Sequence, residues 1–178
     1  ECIAQACESH RWEEKRGRLG DGQGIGLACG DHSVSSRNGP HDSAQALVKL
    51  DHNGTATVLT GAADIGQGSD TTLCQIAAEE LGLHLNKVHI IAADTALTPL
   101  DLGTFGSRVT VIAGNAVKAA AEDARCQLFE TVADRLEARI EDLEARDGRV
   151  YVKGTPGKSV SFSDAVSETL ARGKAVLG

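Results

Sequence analysis

The chain has 178 residues, enough for one ordinary domain that buries about 70% of the surface it would expose unfolded. Charged residues at 24%, hydrophobic ones at 41% and a mean hydropathy of -0.17 fit neither a disordered nor a membrane-embedded chain. The 18 Lys and Arg against 25 Asp and Glu give a net charge of -7, and the basic residues are not gathered, which argues against a nucleic-acid partner.

No apolar run approaches the roughly 18 residues that a spanning helix needs. The sequence contains no Met and starts at Glu1 with an amphipathic segment already under way, as expected of a piece of a longer polypeptide. The five cysteines, Cys2, Cys7, Cys29, Cys74 and Cys126, are scattered and odd in number. With no signal-peptide pattern, this points to a reducing, cytoplasmic setting.

Residues 1–18 place Ile3, Ala6, Cys7, His10 and Trp12 at mixed three- and four-residue spacing, which predicts an N-terminal helix stopped by Gly17 and Gly20. From Gly20 to Gly30 glycine recurs at every second position before Leu27, Ala28 and Cys29, the pattern of a strand packed against another backbone. His32 to Ser43 reads as a loop. Ala46–Leu50 and Thr55–Leu59, joined by Asp51, His52, Asn53 and Gly54, predict a hairpin. Leu73, Ile76, Ala77, Glu80 and Leu81 then follow at helical spacing, with Ser69 as expected N-cap and Gly82 as stop.

Val88–Ala92 is short, apolar and branched, a buried strand. After a polar loop from Asp94 to Ser107, apolar residues recur every fourth position from Ile112 through Leu136 to Ile140, which predicts one long helix broken by Asp147-Gly148. Val150–Val152 can return as a strand before a turn at Thr155, Pro156 and Gly157. Ser161–Leu177 reads as a last helix begun by Ser163 or Asp164, and 158–178 as C-terminal helix or linker. The fold class expected is α+β, a single domain over 1–178 built as a two-layer α/β lobe in the order β-β-α-β-α-β.

Chemistry can sit where glycine-rich loops feed helix N-termini, at Gly66-Gln67-Gly68-Ser69 and at Gly103-Thr104-Phe105-Gly106-Ser107-Arg108. Such ends offer unpaired N–H groups and a partial positive charge to an anionic ligand. The same residues could equally make only turns and caps, because a short Gly-x-Gly is weak by itself. Neither a P-loop nor G-x-G-x-x-G is present, and no C-x-x-C or H-E-x-x-H marks a protein-ligated metal. Cys7 and His10 read as ordinary residues, and Cys29 and Cys74 as small core residues. Asp64, Glu79, Glu80, Asp94 and Asp101 are the acidic candidates. Asp94 and Asp101 stand beside the second glycine loop, where they serve either a site or a turn.

Residues 61–83, GAADIGQGSDTTLCQIAAEELGL, and residues 94–120, DTALTPLDLGTFGSRVTVIAGNAVKAA, together resemble the large, molybdopterin-binding subunit of the xanthine dehydrogenase and aldehyde oxidase (molybdenum hydroxylase) family. Within it they look most like the 4-hydroxybenzoyl-CoA reductase alpha subunit. The resemblance covers about residues 17–152 and implies that the chain is part of a molybdopterin-binding domain. It implies that Gly66, Gln67 and Gly68, with Ser69 after them, contact molybdopterin or molybdopterin cytosine dinucleotide, Gln67 bonding near the oxo or sulfido ligands of molybdenum. Gly103, Thr104, Phe105, Gly106, Ser107 and Arg108 would wrap the pterin and phosphates, and His32–Pro40 would form a wall of the substrate funnel. The metal would be held by the pterin dithiolene and not by side chains.

The family's glutamate in a Gly-x-Gly-Glu setting and its Phe-Arg-Gly pattern have no counterpart in this sequence, so no catalytic residue is assigned and the piece is expected to be inert alone and to lack its cofactor. Implied partners are the remainder of the subunit, iron–sulfur and flavin domains or subunits, and an aromatic, heteroaromatic or acyl-CoA substrate. The exposed apolar faces of a piece would favour self-association. The alternative is a standalone small-molecule or anion-binding module without catalysis.

Overall fold

The computed structural model describes residues 1–32 and 43–178. The chain forms two compact units, a small N-terminal one and a main one that holds everything after it. The expected funnel wall at 32–40 falls almost wholly outside the described residues.

In the N-terminal unit the single helix expected over 1–18 is two short ones, α1 (Cys2–Ser9) and α2 (Trp12–Lys15). The break is at Arg11, whose backbone is left-handed with φ 53°. Neither helix buries a residue, and a helix this short draws little stability from its own hydrogen bonds. The strand expected at Gly20–Gly30 does not form, and Cys29 is exposed where a core position was expected. Gly22, Gly24, Gly26 and Gly30 have open space where a Cβ would stand, so no neighbouring backbone meets the alternating glycines.

The main unit opens with the expected hairpin. β1 (Ala46–Leu50) and β2 (Ala56–Thr60) pair antiparallel with Val48 opposite Val58. Asn53 Oδ1 secures the turn by accepting from the Thr55 N–H at 3.1 Å. α3 (Ser69–Leu81) then carries the chain to β3 (Val88–Ala92), which lies parallel to β2 with Val58 opposite Ile90. The sheet order is β1-β2-β3.

Val48, Leu50, Ala56, Val58 and Thr60 are buried on one face. α3 packs on β2 and β3, α4 (Gly114–Val132) packs on β1, and the two helices pack on each other. This is the expected two-layer α+β arrangement, with the apolar stripe Ala120, Ala124, Leu128 and Val132 of α4 in its core.

The long helix ends earlier than its periodicity predicts. Leu136 is still buried, but Glu137 takes φ 42°. The Ala138 N–H then donates to Ala133 O and the Glu137 N–H to Asp134 O, both at 3.1 Å. This is a Schellman closure with glutamate where glycine is usual. Ile140, the next residue of the stripe, is 40% exposed.

A second sheet follows as a meander of β4 (Leu143–Arg146), β5 (Arg149–Val152) and β6 (Thr155–Ser161). Asp147-Gly148, expected only to break a helix, is the two-residue loop of the β4–β5 hairpin, with φ 51° and 71°. Thr155, Pro156 and Gly157, expected as a turn, begin β6, and proline is tolerated there because β6 is an edge strand. Ser161 caps α5 (Phe162–Ala171) by accepting the Asp164 N–H at 3.1 Å, so the cap lies two or three residues earlier than expected. The chain beyond α5 is not helical. Val176–Gly178 lies along β1, with Val48 and Gly178 exchanging both backbone hydrogen bonds at 3.0 Å. Among the described residues, no helix is long and apolar enough to cross a membrane.

Candidate functional site

β2 and β3 are adjacent and parallel, so both end at the same edge of the sheet. The two glycine-rich loops leave from those carboxyl ends: residues 61–68 follow β2 and residues 93–108 follow β3. Open α/β sheets characteristically bind ligands at this edge.

The loops are tied together. Thr104 Oγ1 donates to Ala63 O at 2.6 Å across 41 residues of sequence. A Cβ placed on Gly61 would stand 2.8 Å from Asp101 Cβ and only 2.4 Å from Pro99 O, so only glycine allows the two backbones to approach this closely. Beside this contact Gly61, Ala93, Thr95, Thr98, Pro99, Leu100 and Asp101 line a cleft of about 330 Å³.

The first loop is organised by Asp64. Its Oδ1 accepts the Gly66 N–H at 2.8 Å and the Gly68 N–H at 3.4 Å, and its Oδ2 accepts the Asp70 N–H at 3.2 Å. These amides, Gly66 first, hold its carboxyl below the ordinary carboxylate range. Ser69, expected to cap α3, is the first residue of the helix and is 3% exposed. Gly68 occupies the cap position in a left-handed conformation, and Asp64 supplies the acceptor oxygens.

Gln67 is exposed, yet its amide bonds within its own loop. Nε2 donates to Ser69 Oγ at 2.9 Å and to Ala63 O at 3.3 Å, while Oε1 accepts the Ile65 N–H at 2.7 Å. Both amide hydrogens are thereby used, which leaves one acceptor lone pair on Oε1 for any further partner. Gly66 and Gly68, at φ 104° and 80°, have open space where a Cβ would stand. The loop thus presents bare backbone outward.

The second loop is organised by Arg108. The sequence suggests a cation facing a ligand, but its side chain is fully buried. Nη1 donates to Asp101 Oδ1 and to Gly103 O, and Nη2 to Ser43 O, each at 2.8 Å. Arg108 therefore serves as an internal strut, and the same Asp101 oxygen also accepts the Gly103 N–H at 2.8 Å. The guanidinium carbon lies 5.6 Å from the ring centroid of Phe105, which is half exposed. Gly106 is buried and Ser107 exposed, with successive left-handed φ of 54° and 57°. Thr104 is spent on Ala63, as above. Of the ten candidate residues, the structure brings the two groups side by side and turns Ser69 and Arg108 inward.

The remaining acidic candidates are structural or peripheral. Asp94 makes a turn, its Oδ1 accepting the Ala96 N–H at 2.8 Å. Glu80 pairs with Arg125 of α4 at 2.7 Å, and Glu79 is exposed. Cys74 is 7% exposed, and burial foremost, then Asp70, pushes its thiol pKa up. Asp70 is itself raised by burial and by the Asp64 charge. No group of three metal-ligating side chains occurs among the described residues. For Asp101 the turn reading holds, since it accepts the Gly103 N–H; its pairing with Arg108 and the capping by Asp64 escape the sequence reading, although an aspartate two residues before a loop glycine is a recognisable Asx-turn signal.

A sheet edge carrying two interlocked glycine loops defines an α/β ligand-binding lobe, and comparison with known proteins supplies its family. The chain belongs to the molybdopterin cofactor-binding domain family, whose model matches residues 3–176. It is 35% identical over 152 residues to the 6-hydroxypseudooxynicotine dehydrogenase complex subunit gamma of Paenarthrobacter nicotinovorans, covering 85% of this chain and 19% of that protein. It is 33% identical to the putative xanthine dehydrogenase molybdenum-binding subunit of Escherichia coli, covering 68% of this chain and 17% of that one. In structure it is similar to quinoline 2-oxidoreductase from Pseudomonas putida 86, with a TM-score of 0.69 and 35% identity over 73% of this chain and 16% of the other. The chain thus spans less than a fifth of the length of these relatives.

Proposed function

We propose that this chain is the part of a molybdenum-dependent oxidoreductase large subunit that contributes two cofactor-binding loops, Gly66–Ser69 and Gly103–Arg108. The observation that carries the reading is the pair of loops joined by Thr104 and Ala63 at the carboxyl ends of β2 and β3. The residues present are compatible with a molybdopterin group: left-handed Gly66 and Gly68 face open space, so a ligand could approach their backbone without meeting a Cβ. When bound, the group would supply two-electron exchange with an aromatic, heteroaromatic or acyl-CoA substrate.

The chain's own residues would hold and orient. The bare backbone of Gly66 and Gly68, whose N–H groups are held by Asp64, would let the ligand come close, and the backbone N–H groups of Gly106 and Ser107 would approach it. Gln67 Oε1 would accept one hydrogen bond, and a donated one would require release of the 3.3 Å bond to Ala63. Phe105 would lend an apolar face, with Arg108 acting through the loop it braces. No residue here is assigned the role of catalytic base. The 4-hydroxybenzoyl-CoA reductase branch, the cytosine dinucleotide form of the cofactor, iron–sulfur and flavin partners and a cytoplasmic location belong to this proposal. Exposed Ile65, Leu97, Leu100, Leu102 and Phe105 around the loops support burial against the rest of the subunit.

The test is made in the full-length enzyme with Gln67→Ala and Glu79→Ala, reading activity per molybdenum atom. Stranding polar ligand atoms at Gln67 costs about 1–3 kcal/mol, roughly fivefold to over a hundredfold in rate. Glu79, exposed on α3, should change activity by under about 0.5 kcal/mol. Equal activities of both variants and the parent would refute the site. A standalone anion-binding module predicts instead that the chain binds a small anion without molybdenum.

A further inference from the structure

The N-terminal end of α3 is the obvious place to seat an anion, because helix ends attract negative charge. The structure fills that place with its own carboxylate. Asp64 meets Gly66 and Gly68 through one oxygen and Asp70 through the other, so it grips the loop on both sides of Gln67 and the first turn of the helix together. The Thr72 N–H is meanwhile taken by Gly68 O at 3.2 Å, as is the Thr72 hydroxyl at 3.0 Å.

We propose that Asp64 is the positioning residue of the Gly66-Gln67-Gly68 loop, a built-in anion that fixes the loop and closes this helix end to any ligand phosphate. The two glycine loops then differ in kind. The first offers a fixed edge of backbone and one amide oxygen, with its helix charge already neutralised. An incoming phosphate there would meet the Asp64 carboxylate at close range, with Asp70 on the same turn adding repulsion. The depressed Asp64 pKa agrees with this arrangement, since the amide donors favour its charged form. The assignment rests on the proposed function only for the identity of the ligand. The geometry of the cap stands on the chain alone.

The experiment is amide hydrogen exchange and amide resonance mapping of the full chain without cofactor, with inorganic phosphate as probe. Asp64→Ala is expected to speed exchange at Gly66, Gly68 and Asp70 by about tenfold, the worth of one net hydrogen bond, and to let phosphate shift the Gly68–Asp70 resonances. In the parent those resonances should stay still at the same phosphate concentration. Asp64→Asn keeps one acceptor oxygen and replaces the other by a donor, so it should retain protection at Gly66 and lose it at Asp70. Unchanged exchange at all three amides in Asp64→Asn, or phosphate shifts in the parent as large as in Asp64→Ala, would overturn the proposal. The Asn variant and the parent suffice if the Ala variant does not fold. Neither readout depends on molybdenum, so failure here is distinguishable from failure of the proposed function.

Discussion

Asp101→Asn removes a charge from inside the second loop with almost no change of shape. Its carboxylate and the Arg108 guanidinium are 1% and 0% exposed and lie 2.8 Å apart. Breaking a buried pair by removing one partner typically costs about 3–5 kcal/mol, because the remaining charge keeps its desolvation penalty. The lower end applies here, since the carbonyls of Gly103 and Ser43 still accept from Arg108. At about 2–4 °C per kcal/mol for a chain of this length, a loss of about 3 kcal/mol lowers Tm by about 6–12 °C. Calorimetry of the 178-residue chain measures it. Adding Arg108→Met should recover part of the loss, because replacing both members of a buried ion pair by neutral groups is milder than removing one of them. A Tm for Asp101→Asn within about 2 °C of the parent would refute the strut, as would a double variant no more stable than the sum of its single variants.

Three further outcomes are expected. Gly61→Ala should cost about 1–3 kcal/mol in a urea titration, as overpacking does, because its Cβ would meet the backbone oxygen of Pro99 at 2.4 Å; an unchanged midpoint would contradict the close approach of the loops. Asp70→Asn should raise Tm at neutral pH. The folded state raises the Asp70 pKa, so ionisation penalises folding once pH climbs from the ordinary carboxylate value through the raised one, and the advantage of Asn should vanish in acid. The isolated chain should self-associate through its exposed loop side chains, and sedimentation showing a clean monomer over a wide concentration range would count against this.

What the sequence disclosed and what it hid follow from the range of the forces involved. Val88–Ala92 is observed with the limits expected, because a short branched run between polar segments has few other ways to bury itself. The stop of α4 was hidden because the residue that turns left-handed is Glu137 and not glycine, and because Leu136 continues the apolar period to its last turn. LEAR at 143–146 has good helix formers, and it becomes a strand only by pairing with Arg149–Val152 across the Asp147-Gly148 turn. The alternating glycines at 20–30 gave the pattern of a strand without a neighbour to meet it. In the candidate site, glycine placement was legible since left-handed turns need glycine locally. The fate of Arg108 was not, because one of its acceptors is Ser43, 65 residues away.

The charged groups of both loops face inward or bind their own backbone. Asp64 is held by three amides of its own segment, Asp94 closes a turn, and Asp101 and Arg108 neutralise one another out of reach of solvent. The outside carries glycine backbone, the Gln67 edge, the hydroxyls of Thr95 and Ser107 and the apolar side chains of Ile65, Leu97, Leu100, Leu102 and Phe105, with the exposed Asp64 carboxylate turned onto its own loop. A loop whose charges awaited a ligand would pay their repulsion and flexibility whenever the ligand was absent. Here the shape of each loop is set before any ligand arrives, so little ordering entropy remains to be lost on binding. Rigid backbone edges suit a ligand recognised by its outline and its ring of polar atoms, while the apolar side chains around them suit a covering protein surface. The two demands are met by different atoms of the same loops. A change at Asp64 or Asp101 should therefore disturb loop geometry and binding together, whereas a change at Phe105 or Leu100 should act on the covering surface.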